Sequence, residues 1–102
     1  MDKDTTLRDI SYKLVKTDEE LATALTKLFP LELAYTRRKN DLILNSGMAT
    51  MLLKEAEASN TLAMEDISDQ YLEAKLRVKI LYSRRDTFME ISRNLRSMAF
   101  EQ

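Results

Sequence analysis

Apolar residues recur along this chain at steps of three and four. From Leu21, alternating steps of four and three visit positions 21, 25, 28, 32, 35, 39, 42, 46, 49, 53 and 56. Eight of these eleven are apolar: Leu21, Leu25, Leu28, Tyr35, Leu42, Ala49, Leu53 and Ala56. A helix gathers such positions on one face, because a turn of about 3.6 residues brings every third and fourth side chain together. The same spacing returns in Ile67, Tyr71, Ala74, Val78, Leu81, Phe88, Leu95 and Ala99, interrupted by Arg85 and Ser92. Ile91 and Met98 lie beside this second row and join it as the helical period drifts from the heptad.

The polar residues between the rows suggest where helices start and stop. Thr6 and Asp9 are spaced as a capping pair ahead of Leu7, Ile10 and Leu14, which predicts a short N-terminal helix. The stretch ISYKLV also alternates with period two, but a lone strand would have no partner. Thr17 and Glu20 have capping-box spacing, and the acids Asp18 to Glu20 suit the positive end of a helix. Pro30 lies inside the following run, where its missing N–H and its ring predict a kink or break near Phe29. Gly47 weakens the same helix without having to end it. Residues 59–68 are polar enough to be the turn-around.

The expected fold is therefore all-α and a single domain over 1–102. It comprises an N-terminal helix or arm (1–16), a first long helix (17–58, kinked or broken near 29–30), a polar turn (59–68) and a second long helix (69–100). The two long helices are expected to form an antiparallel, coiled-coil-like hairpin. Leu42, Leu53, Tyr71, Val78, Leu81, Phe88 and Leu95 are the candidate packing or partner seam. Leu31, Leu33, Ile43, Leu44, Leu72, Leu76, Ile80, Tyr82 and Met89 widen the apolar surface beyond one seam. A larger bundle formed by self-association, or a protein partner, would cover that excess.

Composition narrows the function classes. One glycine and one proline in 102 residues leave too few turn residues for a β-rich fold. There is no cysteine, hence no disulfide or thiolate chemistry. There is no histidine, which removes the usual general base and the commonest metal ligand. No nucleophile has a base at a recognisable spacing, and a lone glycine cannot form a phosphate cradle. No enzyme, cofactor or metal site is expected. The carboxylates at 55, 57, 65, 66 and 69 lack the calcium-loop spacing. The N-terminus MDKDTTLRD does not read as a signal peptide, and no apolar run reaches membrane-spanning length. A cytoplasmic protein with no membrane role is expected.

The net charge of −1 conceals banding. Residues 55–70 hold five acids and no base, whereas 71–97 hold seven bases against three acids. Arg37, Arg38, Lys39, Arg84, Arg85, Arg93 and Arg96 are the candidate nucleic-acid contacts. The bases of the second helix are dispersed around it, with Glu73, Asp86 and Glu90 among them. A solvated face, paired with the acids of 55–70, is the favoured reading over direct nucleic-acid binding, and a pI near 5.5 agrees. A helix-turn-helix around Asn45-Ser46-Gly47 would need a basic recognition helix after it, but only Lys54 and then acids follow.

The element YTRRKNDLILN (35–45), a polar turn, and DQYLEAKLRVKILYSRRDTFMEISRNLRSM (69–98) together resemble small helical accessory proteins of bacteriophages that infect Gram-positive bacteria. The resemblance covers roughly residues 18–98. It is carried by Tyr35, Arg38, Leu42 and Leu44 in the first helix and by Tyr71, Lys75, Tyr82, Leu95 and Arg96 in the second. It implies a non-enzymatic interaction protein, accessory to phage DNA recombination or replication and working in the host cytoplasm. An inhibitor of a host protein or defence nuclease, with the acidic stretch 55–70 or the apolar faces as its contact, is the alternative.

Overall fold

The computed structural model describes the backbone of residues 3–100 and the side chains of 6–98. Three helices account for nearly all of it: α1 (Lys3–Leu44), α2 (Met51–Leu62) and α3 (Asp66–Phe100). No strand occurs among the described residues. The fold is all-α, with two long helices and a short one between them.

The helix boundaries differ from those read in the sequence, and each difference has a local cause. Residues 3–16 are helical and run directly into the rest of α1. Thr17 is therefore not a cap. It is buried, and its hydroxyl donates to the Lys13 carbonyl at 2.7 Å. That back-bond is how a threonine inside a helix satisfies its hydroxyl. Of the kink or break expected near Phe29, no break occurs: the helix continues through Pro30. One missing N–H and a ring clash cost about 3 kcal/mol. Buried Leu28 on one side and half-buried Leu31 and Tyr35 on the other hold the inward face through the proline, while Pro30 itself is exposed.

Instead, the chain leaves the helix at Asn45. The Asn45 backbone and side-chain amides both donate to the Asp41 carbonyl, at 3.0 and 2.9 Å. Ser46 accepts from the Met48 amide (3.2 Å) and donates to Glu57 Oε2 (3.1 Å). Thr50 then caps α2: its backbone is extended (φ −120°, ψ 156°) and its Oγ1 accepts from the Leu53 amide at 3.3 Å. Gly47 plays no steric part in this turn, having neither a positive φ nor any atom near a would-be Cβ. The helix expected over 17–58 is thus interrupted at 45–50, not at 29–30.

The turn-around is also shorter than the expected 59–68. Ser59 to Leu62 complete α2, and only Ala63 to Glu65 separate it from α3. The Ala63, Met64 and Glu65 amides donate to Ser59, Thr61 and Leu62 carbonyls at 3.0–3.1 Å. Sequence polarity marks solvent exposure here rather than chain reversal. Ser59 and Asn60 face out, while Leu62 is fully buried beside them in the chain. Asp66 and Asp69 occupy the first turn of α3, where negative charge favours the helix start.

The chain divides into two compact units, Met1–Leu25 with Arg77–Gln102, and Thr26–Leu76. In the first, ascending α1 residues meet descending α3 residues, Lys13 against Phe88 and Asp18 against Arg85, so the two segments are antiparallel. Ile10, Leu21, Val78 and Leu81 are its buried apolar residues, and Thr17 and Ser92 its buried polar ones. In the second unit Tyr35 packs on Tyr71 with ring centroids 4.7 Å apart, and Arg38 meets Glu65, again antiparallel. Leu28, Ala58, Leu62 and Ala74 are buried there. Leu62 and Leu81 are the largest fully buried side chains, each contributing roughly 1.5–3 kcal/mol by leaving water.

Candidate functional site

The unit Thr26–Leu76 holds the best-defined polar contact. Arg38 Nε lies 3.1 Å from both Glu65 carboxylate oxygens, and its second nitrogen lies 2.6 Å from Oε1. The planar guanidinium fork matches the carboxylate. Through this hydrogen bonding, helped by the charge itself, Arg38 holds the Glu65 carboxyl below the usual carboxylate range, against the opposing effect of desolvation. The pair ties α1 to the turn that precedes α3. Of the neighbouring candidates, Arg37 is exposed and Lys39 half-buried, and neither belongs to an ion pair among the described residues.

In the other unit the bases meet a different set of acids from those expected. Arg85 Nε lies 2.8 Å from Asp18 Oδ1, while Arg84 and Arg77 approach Glu20 Oε2 at 3.4 and 3.7 Å. The antiparallel register puts Asp18 and Glu20 opposite Arg84 and Arg85. Local spacing assigns these acids to a helix start, Glu20 as capping-box partner of Thr17 and both as partners of the helix dipole. Their signal was a mirrored charge pattern, two acids on one long helix and paired bases on the other. Arg93 and Arg96 are exposed and take part in no ion pair among the described residues. The seven candidate nucleic-acid contacts are therefore split between two units, and three of them are engaged with carboxylates of the same chain.

The candidate seam residues fall into three groups. Val78 and Leu81 are buried, and Leu42, Tyr71, Phe88 and Leu95 are half-buried. Leu53 is 48% exposed, because the turn at 45–50 restarts the helix and α2 does not keep the register of α1. Ala49 and Ala56 of the same row are exposed too, while the side chain of Ala99 lies outside those described.

No group of three or more metal-ligating side chains is assembled among the described residues, and no described helix is long and apolar enough to cross a membrane. Buried side-chain polar atoms without a partner are also absent among them. What the fold does present is apolar surface. Leu44, Met48, Met51 and Leu52 around the α1–α2 connection are 80, 45, 60 and 75% exposed. Comparison with protein-family models, curated proteins and solved structures finds no match for this chain.

Proposed function

We propose that this chain is a non-enzymatic helical interaction protein, phage-encoded and accessory to DNA recombination or replication in the host cytoplasm. The observation that carries the interaction reading is the disposition of apolar side chains. Seventeen large hydrophobic residues are exposed among those described, against eight hydrophobic residues buried. A chain that leaves so much apolar surface in water gains by covering it with another protein. Methionines at 48 and 51 suit such a surface, because their unbranched, polarizable side chains adapt to a partner's shape. The resemblance carried by residues 35–45 and 69–98 supports the phage-accessory part of the reading.

The test is capture from a lysate of a Gram-positive host, with and without nuclease, followed by reconstitution of the captured protein with the purified chain. A protein partner that survives nuclease and is lost with Leu44→Asp or Leu52→Asp is the expected result. Both positions are exposed, so the variants keep their helicity. Capture that vanishes on nuclease treatment would refute the reading in favour of direct nucleic-acid binding.

A further inference from the structure

Helix α3 has a second face that the fold leaves uncovered. Val78, Leu81 and Ser92 are buried and Arg85 and Phe88 half-buried, all on one side. At about 100° per residue, Ile80 and Ile91 fall on one row roughly 120° around from that side. Ile80 is 44% and Ile91 38% exposed. Between them lie Ser83 and Thr87, both small and exposed, and the Thr87 hydroxyl is already satisfied by the Ser83 carbonyl at 3.0 Å. Lys79 and Glu90 are exposed and flank the row on the same side.

This arrangement reads the same from both ends. About a centre near residue 85, Ile80 mirrors Ile91, Ser83 mirrors Thr87, and Lys79 mirrors Glu90. We infer that this face takes a second copy of the chain, α3 against α3 in an antiparallel two-fold pairing. Ile80 then meets Ile91 of the second copy, twice by symmetry. Ser83 and Thr87 let the axes approach on one side of the centre, and Arg84 on the other side is drawn toward Glu20 of α1 at 3.4 Å. Lys79 comes beside Glu90 of the second copy, also twice, so this flanking pair is complementary in the antiparallel orientation. Within one chain these two residues are eleven positions apart, about 16 Å along the helix. They cannot pair with each other, and neither belongs to an ion pair among the described residues. A parallel two-fold pairing would instead carry Lys79 and Glu90 of the second copy to the opposite side of the seam, where neither meets its opposite charge. The inference rests on the proposed interaction reading only in treating exposed apolar surface as contact surface.

Sedimentation equilibrium of the purified chain at low ionic strength tests it. The wild type shows a concentration-dependent dimer, and Ile80→Asp with Ile91→Asp gives a monomer of unchanged helicity. Lys79→Glu or Glu90→Lys alone weakens association about tenfold, while the two together restore it, since the swapped charges again face their opposites. A wild-type monomer up to about 1 mM, the weakest affinity worth the name of a site, would overturn the inference. So would association untouched by the isoleucine variants, or a double charge swap as weak as either single one. A monomer that still captures a protein partner sinks this inference alone, and a dimer that captures none sinks only the proposed function.

Discussion

Glu65 and Arg38 show what one exposed pair does at a turn. The Glu65 carboxyl is held below its ordinary range, chiefly by the Arg38 hydrogen bonds, so its folded pKa lies under the unfolded value of about 4.3. The stabilisation is fully present above that unfolded value and is lost as pH falls through the folded one. Glu65→Gln should therefore lower the melting temperature slightly at neutral pH. That difference should close as the pH drops below the carboxylate range, which thermal melts at a series of pH values would reveal. Burial separates two leucines more sharply. Leu81 is fully buried and Leu53 is 48% exposed. Leu81→Asp places a charge where no partner exists and should cost several kcal/mol, on the order of the whole stability of a small domain. Leu53→Asp should stay within about 0.5 kcal/mol, apart from any contact with a partner. Circular dichroism with urea denaturation would separate the two.

At the scale of elements, the helix ends test the account of where α1 stops. Pro30 sits exposed inside a continuous helix, so Pro30→Ala should restore a backbone donor and stabilise the protein by about 1–2 kcal/mol, less than the full proline penalty because the unfolded chain also gains freedom. Thr50→Ala should cost about 1 kcal/mol by removing the cap on the Leu53 amide. If Pro30→Ala destabilised instead, the helix would in fact depend on a break there. The polar-turn reading of 59–68 and the capping-box reading of Thr17 failed for one reason. Ser, Thr and Asn serve equally at caps, in turns and on the faces of helices, and their local spacing does not say which.

For the molecule as a whole, the prediction concerns nucleic acid. Arg84 and Arg85 are held by Glu20 and Asp18, which leaves Arg93 and Arg96 of the four α3 candidates to contact phosphates, while Arg37 and Lys39 lie in the other unit. Two phosphate contacts on one helix give weak, salt-sensitive binding. Replacing Arg84, Arg85, Arg93 and Arg96 together with Gln should leave partner capture intact. It should cost no more than about 1 kcal/mol of stability per lost exposed pair. Titration into labelled single- and double-stranded DNA at near-physiological salt is the check. Submicromolar binding by the wild type, abolished in the four-Gln variant, would contradict it.

The all-helical class followed from the sequence alone, since steps of three and four, one glycine and one proline leave no other way to bury the apolar rows. The inward face of the second long helix was legible as well, because Tyr71, Ala74, Val78, Leu81, Phe88 and Leu95 keep one period over many turns, with only Arg85 and Ser92 interrupting it. Tertiary packing decided the rest. Whether Pro30 breaks a helix depends on what its neighbours bury, and whether Thr17 caps one depends on whether the chain before it is already helical. Which acid meets Arg85 depends on antiparallel register, which brings residues 67 positions apart to 2.8 Å. Periodicity names the face of a helix. Only the packed partner settles where that face ends and what stands opposite it.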